Sequence, residues 1–186
     1  MQLMPAIRLG WLNGWLMLAA LYAVFGVLML VFPREVVARL YALPRFTRRQ
    51  RAVWLAGRVF TLGCLALIIL TPLKIGQGVF VAGSAVFALG FAGMMIALTD
   101  YRRTPPDQPV TRGFYRLSRN PQWLALATML LGTSIAIGSW AAVILLLVAT
   151  GFYHLRILGE ERRCLEQYGE AYREYMRRVP RYLLFL

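Results

Sequence analysis

Histidine occurs once, cysteine twice, and aspartate and glutamate together only eight times in 186 residues. Cys64, Cys164 and His154 are the whole supply of thiolate and imidazole ligands, too few for a zinc set, so no metal is expected. Cys64 lies in an apolar run and Cys164 in a basic tail, so no disulfide is expected either. A nucleotide-phosphate loop is missing as well. Gly76-x-Gly78 joins two hydrophobic runs and lacks a strand–turn–helix setting. No repeat, low-complexity tract or structureless linker divides the chain, and the first apolar run has no small-residue cleavage site. One domain, 1–186, with a retained first helix is expected.

What the chain does have is hydrocarbon. It is 59% hydrophobic with a mean hydropathy of +0.58, and the excess is gathered into long runs able to cross about 30 Å of lipid. The reading is an all-α integral membrane bundle of about five transmembrane helices, at 11–32, 52–71, 79–99, 122–137 and 140–158. Pro33 and Pro72 stop the first two, and Gly138-Ser139 turns the last two into an antiparallel hairpin. The fourth run, at 16 residues, spans only about 24 Å. Three N-terminal spans (1–99) thus precede a C-terminal part (100–186), whose tail, 160–180, reads as an amphipathic surface helix. Its apolar stripe is Leu165, Tyr168, Tyr172, Tyr175 and Val179.

The charge is one-sided: 21 Lys+Arg give a net +13. The arginines flank apolar helices and form no nucleic-acid module, so the partner they imply is a bilayer and not DNA or RNA. Segments 33–51 and 100–121 and the tail hold nearly all of them, against only Arg8 and Lys74 in the N-terminus and the other two turns. The positive-inside rule then puts the C-terminus in the cytosol of an inner, cytoplasmic membrane, with the N-terminus outside. Arg58, two turns inside the second span, reads as a snorkelling side chain, with a lipid-phosphate contact as the other reading.

Three polar features share the cytosolic side: the loop 107–115, the segment 119–123 that opens the hairpin, and Arg156, Glu160 and Glu161 where it closes. A hairpin brings its ends together, so the last two are expected to meet. An acidic pair beside a helix C-terminus needs positive charge nearby, and Arg156, four residues before Glu160, supplies it as a plain ion pair. His154 reads as a structural residue, with proton transfer as the alternative.

Gly113-Phe114-Tyr115-Arg116-Leu117-Ser118-Arg119-Asn120-Pro121-Gln122-Trp123 resembles the G-x-Y-x-x-x-R-H-P-x-Y signature of isoprenylcysteine carboxyl methyltransferases and phospholipid N-methyltransferases. Glu160-Glu161, Tyr168-Gly169-Glu170-Ala171-Tyr172-Arg173-Glu174-Tyr175 and Arg178-Val179-Pro180 look like the same family's E-E, F-G-x-x-Y-x-x-Y and R-V-P. Each motif alone is weak. The ordered set, with a hairpin between, is fairly specific and covers about 100–182. The resemblance implies an enzyme that uses S-adenosyl-L-methionine on a lipophilic acceptor such as a phospholipid amine or an isoprenylcysteine carboxylate. It carries cofactor binding to Asp107, Gln108, Pro109, Val110, Tyr115, Asn120, Pro121, Gln122, Trp123, Glu160 and Glu161, and substrate binding to Arg156. No catalytic acid or base follows from it.

Two positions depart from the pattern. Asn120 replaces histidine, which removes a group that titrates near neutrality and leaves an amide donor and acceptor. Trp123 replaces tyrosine, which keeps an aromatic wall but exchanges a hydroxyl for an indole N–H. Both bear on the acceptor more than on the cofactor. A nicotinamide-dependent membrane reductase is one alternative, although the chain has little nucleotide-phosphate-binding polarity. A non-catalytic membrane protein with a degenerate site is the other. Identity of the acceptor and oligomeric state lie beyond the sequence.

Overall fold

A computed structural model describes residues 1–41, 48–105 and 107–183. The side chain of Arg49, together with Arg45 and Pro106 from the basic and proline-rich segments, lies outside the described residues. Seven α-helices follow one another among the described residues: α1 Trp15–Val31, α2 Arg34–Tyr41, α3 Arg48–Leu70, α4 Gly78–Arg102, α5 Pro121–Ala136, α6 Trp140–Tyr168 and α7 Glu170–Arg178. A single 3₁₀ turn, Gly113–Arg116, interrupts the loop between α4 and α5. The chain is thus an all-helical membrane bundle. Among the described residues, three helices are long and apolar enough to cross a bilayer: Gln50–Leu70, Gly78–Arg102 and Trp140–Tyr168. The apolar helix α1 has 17 residues and α5 has 16, somewhat short of the ~20 that a full crossing takes.

Local chemistry fixes the ends. Pro121 occupies the first turn of α5, where its missing N–H costs nothing. Ser139 Oγ accepts from Ala142 N at 3.2 Å and caps α6. Gly138, at φ +71°, makes the tight turn between them. α4 lies along α5, and α3 along α6. A core of Leu18, Cys64, Ile68, Leu130, Ile137, Ala142 and Leu146 fills one end of the bundle. Leu21, Phe32, Met94, Leu98, Ala125 and Met129 form a second.

Three expectations need correction. The first span begins at Trp15 and not at residue 11, because 1–14 is a non-helical strap. It pairs with backbone that the bundle leaves unsatisfied: Trp140 N donates to Gln2 O (2.9 Å), Arg8 N to Leu70 O (2.8 Å), and Asn13 Nδ2 to Ile69 O (3.0 Å). Helix termini need such partners. The tail is not one helix over 160–180. α6 runs on without a break through Glu160 and Glu161 to Tyr168, and Gly169, at φ +56°, starts α7 in a new direction. The segment after Pro33 is not only a basic connector. It contains α2, with Glu35 in its first turn and Arg39 in its last.

The turn-forming segments separate into two ends. Gln2 meets Gly138, and Lys74 N donates to Ala136 O at 3.0 Å, at one end. At the other, Arg39 of α2 reaches both the 104–108 loop and Tyr168. The arginine-rich segments therefore share an end, as the charge pattern requires. Arg58 stays within its helix with its guanidinium 4.6 Å over the Trp54 ring.

Candidate active site

The loop after α4 is built on Asp100. Its Oδ2 accepts from Phe114 N at 3.1 Å, and its carbonyl accepts from Thr104 Oγ1 at 2.8 Å. Gly113 sits directly on this carboxylate. It has φ +55°, and a Cβ there would lie 2.5 Å from Asp100 Cγ. Both the backbone conformation and the space demand glycine. Gly113→Ala is expected to displace the 3₁₀ turn, at a cost of about 1–3 kcal/mol in stability. The check is the thermal unfolding midpoint of the purified protein, with Gly159→Ala, which meets nothing within 4 Å, as the control.

The 3₁₀ turn delivers Tyr115 to the interior. Tyr115 Oη accepts from Gln122 Nε2 at 3.0 Å, and its carbonyl accepts from Tyr175 Oη at 2.7 Å. Burial pushes the Tyr115 hydroxyl well above its usual range, and burial also raises those of Tyr172 and Tyr175. All three stay neutral at physiological pH. Tyr115 and Tyr175 take part in hydrogen bonds within the protein.

Around Tyr115 lies a hollow of about 330 Å³. Pro109, Val110, Tyr115 and Arg119 come to it from the loop, Tyr101 from α4 and Arg39 from α2. Arg163, Cys164, Gln167 and Tyr168 of α6 and Tyr172 and Tyr175 of α7 close the other side. The volume falls at the lower end of the range for small-molecule sites.

Beside the hollow is a buried ionic knot centred on Glu161. Arg119 Nε lies 3.1 Å from Oε1, with the two side chains only 4% and 5% exposed. Arg181 Nε and Nη2 donate to Oε2 at 3.0 and 2.9 Å. The hydrogen bond to Glu161 raises the Arg181 pKa further, so Arg181 stays charged. Asn120 Nδ2 approaches Oε1 at 3.5 Å and the Arg181 carbonyl at 3.4 Å. Arg119 Nη1 donates to Met176 O at 3.0 Å. The knot therefore ties the start of α5 to α6, α7 and the chain beyond α7.

Glu160 points elsewhere. It pairs with Arg156 at 2.7 Å, both about one-third exposed, as the sequence spacing suggests. Arg156 also stands 5.9 Å from the Tyr153 ring, which stacks on Trp123 with centroids 4.0 Å apart. Arg156 lines a second hollow of about 250 Å³, between α3 and α6, together with Trp54, Phe152, Leu155 and Arg162. His154 Nδ1 lies 2.9 Å from Tyr182 Oη, a satisfied position that agrees with a structural role.

The nominated residues thus divide. Pro109, Val110 and Tyr115 line the first hollow, and Gln122 holds Tyr115 from behind. Asn120 and Glu161 sit in the knot, and Pro121 is buried at the head of α5. Trp123 stacks on Tyr153, Glu160 pairs with Arg156, and Arg156 lines the second hollow. Asp107 and Gln108 are exposed, and Gln108 contributes its carbonyl to Arg39 at 3.0 Å. Sequence reasoning did not nominate Arg39, Tyr101, Arg119, Arg163 or Arg181, nor the tail tyrosines as walls. Arg119 stood in the quoted signature and the tyrosines in the helical stripe. Arg39 left no local signal.

The architecture is that of an integral membrane helical bundle whose polar loops and tail meet around a hollow at one end. Residues 66–171, more than half of the chain, match the phospholipid methyltransferase family model, and the chain belongs to this family. Over 72 residues it is also 32% identical to protein-S-isoprenylcysteine O-methyltransferase from Schizosaccharomyces pombe (strain 972 / ATCC 24843). That stretch covers 38% of this chain and 30% of the relative, so the chain spans under a third of that protein's length. No solved structure gives a significant match. A membrane methyltransferase of this type is what the family assignment supports.

Proposed function

We propose that the protein transfers a methyl group from S-adenosyl-L-methionine to a lipophilic acceptor that arrives through the bilayer. The observation that carries this is the hollow at Tyr115. Its loop wall and part of its helical wall come from the family-matched stretch, and its lining suits the cofactor. The faces of Tyr115 and Tyr168 attract a cation, as a sulfonium requires. Arg163 suits the cofactor's carboxylate, and Pro109 and Val110 offer backbone to its adenine. Bound there, the cofactor supplies an activated methyl group.

What remains for the protein is placement and exclusion of water. The neutral, buried tyrosines wall off the reacting centre without competing as acceptors. The Glu161 knot holds the loop side of the hollow against the tail. On the acceptor side, the half-exposed Arg156–Glu160 pair offers one group of each sign beside the apolar surface of Trp54, Phe152 and Leu155. Arg156 matches a carboxylate or phosphate, and Glu160 matches an amine. Both a phospholipid amine and an isoprenylcysteine carboxylate are therefore acceptor classes to test.

The decisive test is incubation of the protein in lipid nanodiscs with labelled S-adenosyl-L-methionine and candidate acceptors, followed by identification of the labelled product. Labelled lipid or prenyl ester is expected. Failure to bind S-adenosylhomocysteine, or binding of NADPH in its place, would overturn the proposal.

We further propose one domain with five crossings in the cytoplasmic membrane, the arginine-rich end facing the cytosol. In right-side-out vesicles of a Cys64→Ala, Cys164→Ala background, a cysteine at Gln77 should react with a membrane-impermeant thiol reagent. One at Arg112 should react only after the membrane is opened. The reverse pattern would invert the topology.

A further inference from the structure

We propose that Arg39, on the short helix α2 and outside the family-matched stretch, is a positioning residue that latches the loop wall of the cofactor hollow to its helical wall. The identity of the ligand rests on the function proposed above. The latch itself rests on geometry. Arg39 Nη1 donates to Thr104 O at 3.3 Å and to Pro105 O at 3.2 Å. Its Nη2 donates to Gln108 O at 3.0 Å and to Tyr168 Oη at 3.0 Å. The guanidinium lies 4.8 Å over the Tyr101 ring, another wall of the same hollow. One side chain thus joins α2, the end of α4, the loop and the end of α6.

The donor count separates positioning from ligand binding. A guanidinium has five N–H donors, two on each terminal nitrogen. All four terminal donors are matched by these four acceptors, three of them carbonyls of the loop that leads into Pro109 and Val110. Arg39 therefore has its fork committed to protein and acts on a ligand through the loop. Lysine keeps the charge but has no planar fork, and it cannot reproduce a four-acceptor bridge. Three carbonyls of the loop end on this one guanidinium, so the loop's position should depend on the latch.

The test compares wild type, Arg39→Ala, Arg39→Lys and Tyr168→Phe in nanodiscs by three readouts: S-adenosylhomocysteine affinity by calorimetry, thermal midpoint, and the rate of tryptic cleavage at Arg102, Arg103 and Arg112. Both Arg39 variants should bind about tenfold more weakly, the scale of one charge-assisted hydrogen bond, and should be cut faster in the loop. Their thermal midpoints should stay near that of wild type. Tyr168→Phe, which removes one of the four acceptors, should fall between. Wild-type affinity in Arg39→Lys would overturn the latch, and this variant keeps the test open if Arg39→Ala does not fold. If wild type binds no adenosyl ligand, the functional reading fails and cleavage alone decides: faster loop cutting in the Arg39 variants upholds the latch, and an unchanged rate overturns it.

Discussion

Replacing Glu161 with alanine should destabilise the protein by about 3–5 kcal/mol, the usual result of removing one member of a buried ion pair. Arg119 would be left almost fully buried without its carboxylate, and Arg181 would lose both of its donated hydrogen bonds. The knot is also where the start of α5 meets the chain beyond α7. Ser118 Oγ donates to Arg181 O at 2.9 Å and Arg119 N to Pro180 O at 3.0 Å, so the tail should loosen as a unit. Glu160→Ala is the natural comparison. Its ion pair with Arg156 is about one-third exposed and has the less favourable order along the helix, which puts the loss below about 0.5 kcal/mol. Thermal or denaturant unfolding in a fixed detergent separates the two. The double variant Arg119→Leu, Glu161→Leu should recover much of the loss, because the penalty belongs to the unpaired buried charge. Equal destabilisation by Glu161→Ala and Glu160→Ala would show that the knot contributes little.

The contrast between these neighbours shows where sequence reading stops. Successive residues on a helix point about 100° apart, so Glu160 and Glu161 face different surroundings. Arg156 at i−4 was a visible partner for Glu160. The partners of Glu161 come from 42 residues upstream and 20 downstream in the chain. The pair as a whole was legible, but which carboxylate is buried was not. Arg39 shows the same limit more sharply, since its acceptors lie 65–129 residues away.

The helices were legible because hydrocarbon runs and their stops are local. Pro33, Pro72 and Gly138-Ser139 punctuate apolar stretches, and α3 to α5 and the start of α6 fall within a few residues of the expected spans. The strap over 1–14 was not, because its pairing with Leu70 and Trp140 is set by which turns the bundle brings to that end. The continuation of α6 to Tyr168 was not legible, because charges on one face and an apolar stripe on the other suit either a bent or a straight path. At the site, the loop and tail motifs do converge, with Pro109, Val110 and Tyr115 facing Tyr172 and Tyr175. Trp123, against Tyr153, and Glu160, against Arg156, are not among the residues that line that hollow, and only tertiary packing reveals it.

The second large effect should come from Gly83. A Cβ at Gly83 would lie 2.5 Å from Gly132 O and 2.7 Å from Ala136 Cα. Conversely, a Cβ at Gly132 would lie 2.7 Å from Gly83 O and 2.9 Å from Phe87 Cα. The backbones of α4 and α5 touch there, and small residues permit such approaches between membrane helices. Neither atom can rotate away, so even Gly83→Ala must part the helices. A loss of about 3 kcal/mol is expected, at the upper end for an inserted methyl group. Gly83→Leu should leave no folded protein. Gly26→Ala is the opposing control: nothing lies within 4 Å of its Cβ, and the better helix former should stabilise by about 0.5–1 kcal/mol. The strain should also reach the site, although Gly83 is about 25 Å along α4 from Asp100. α4 carries Asp100 and Tyr101, α5 carries Gln122, and Tyr115 is held between them. Gly83→Ala should therefore weaken S-adenosylhomocysteine binding as well as lower the unfolding midpoint. A lowered midpoint with unchanged affinity would mean that the hollow keeps its shape when α4 and α5 separate.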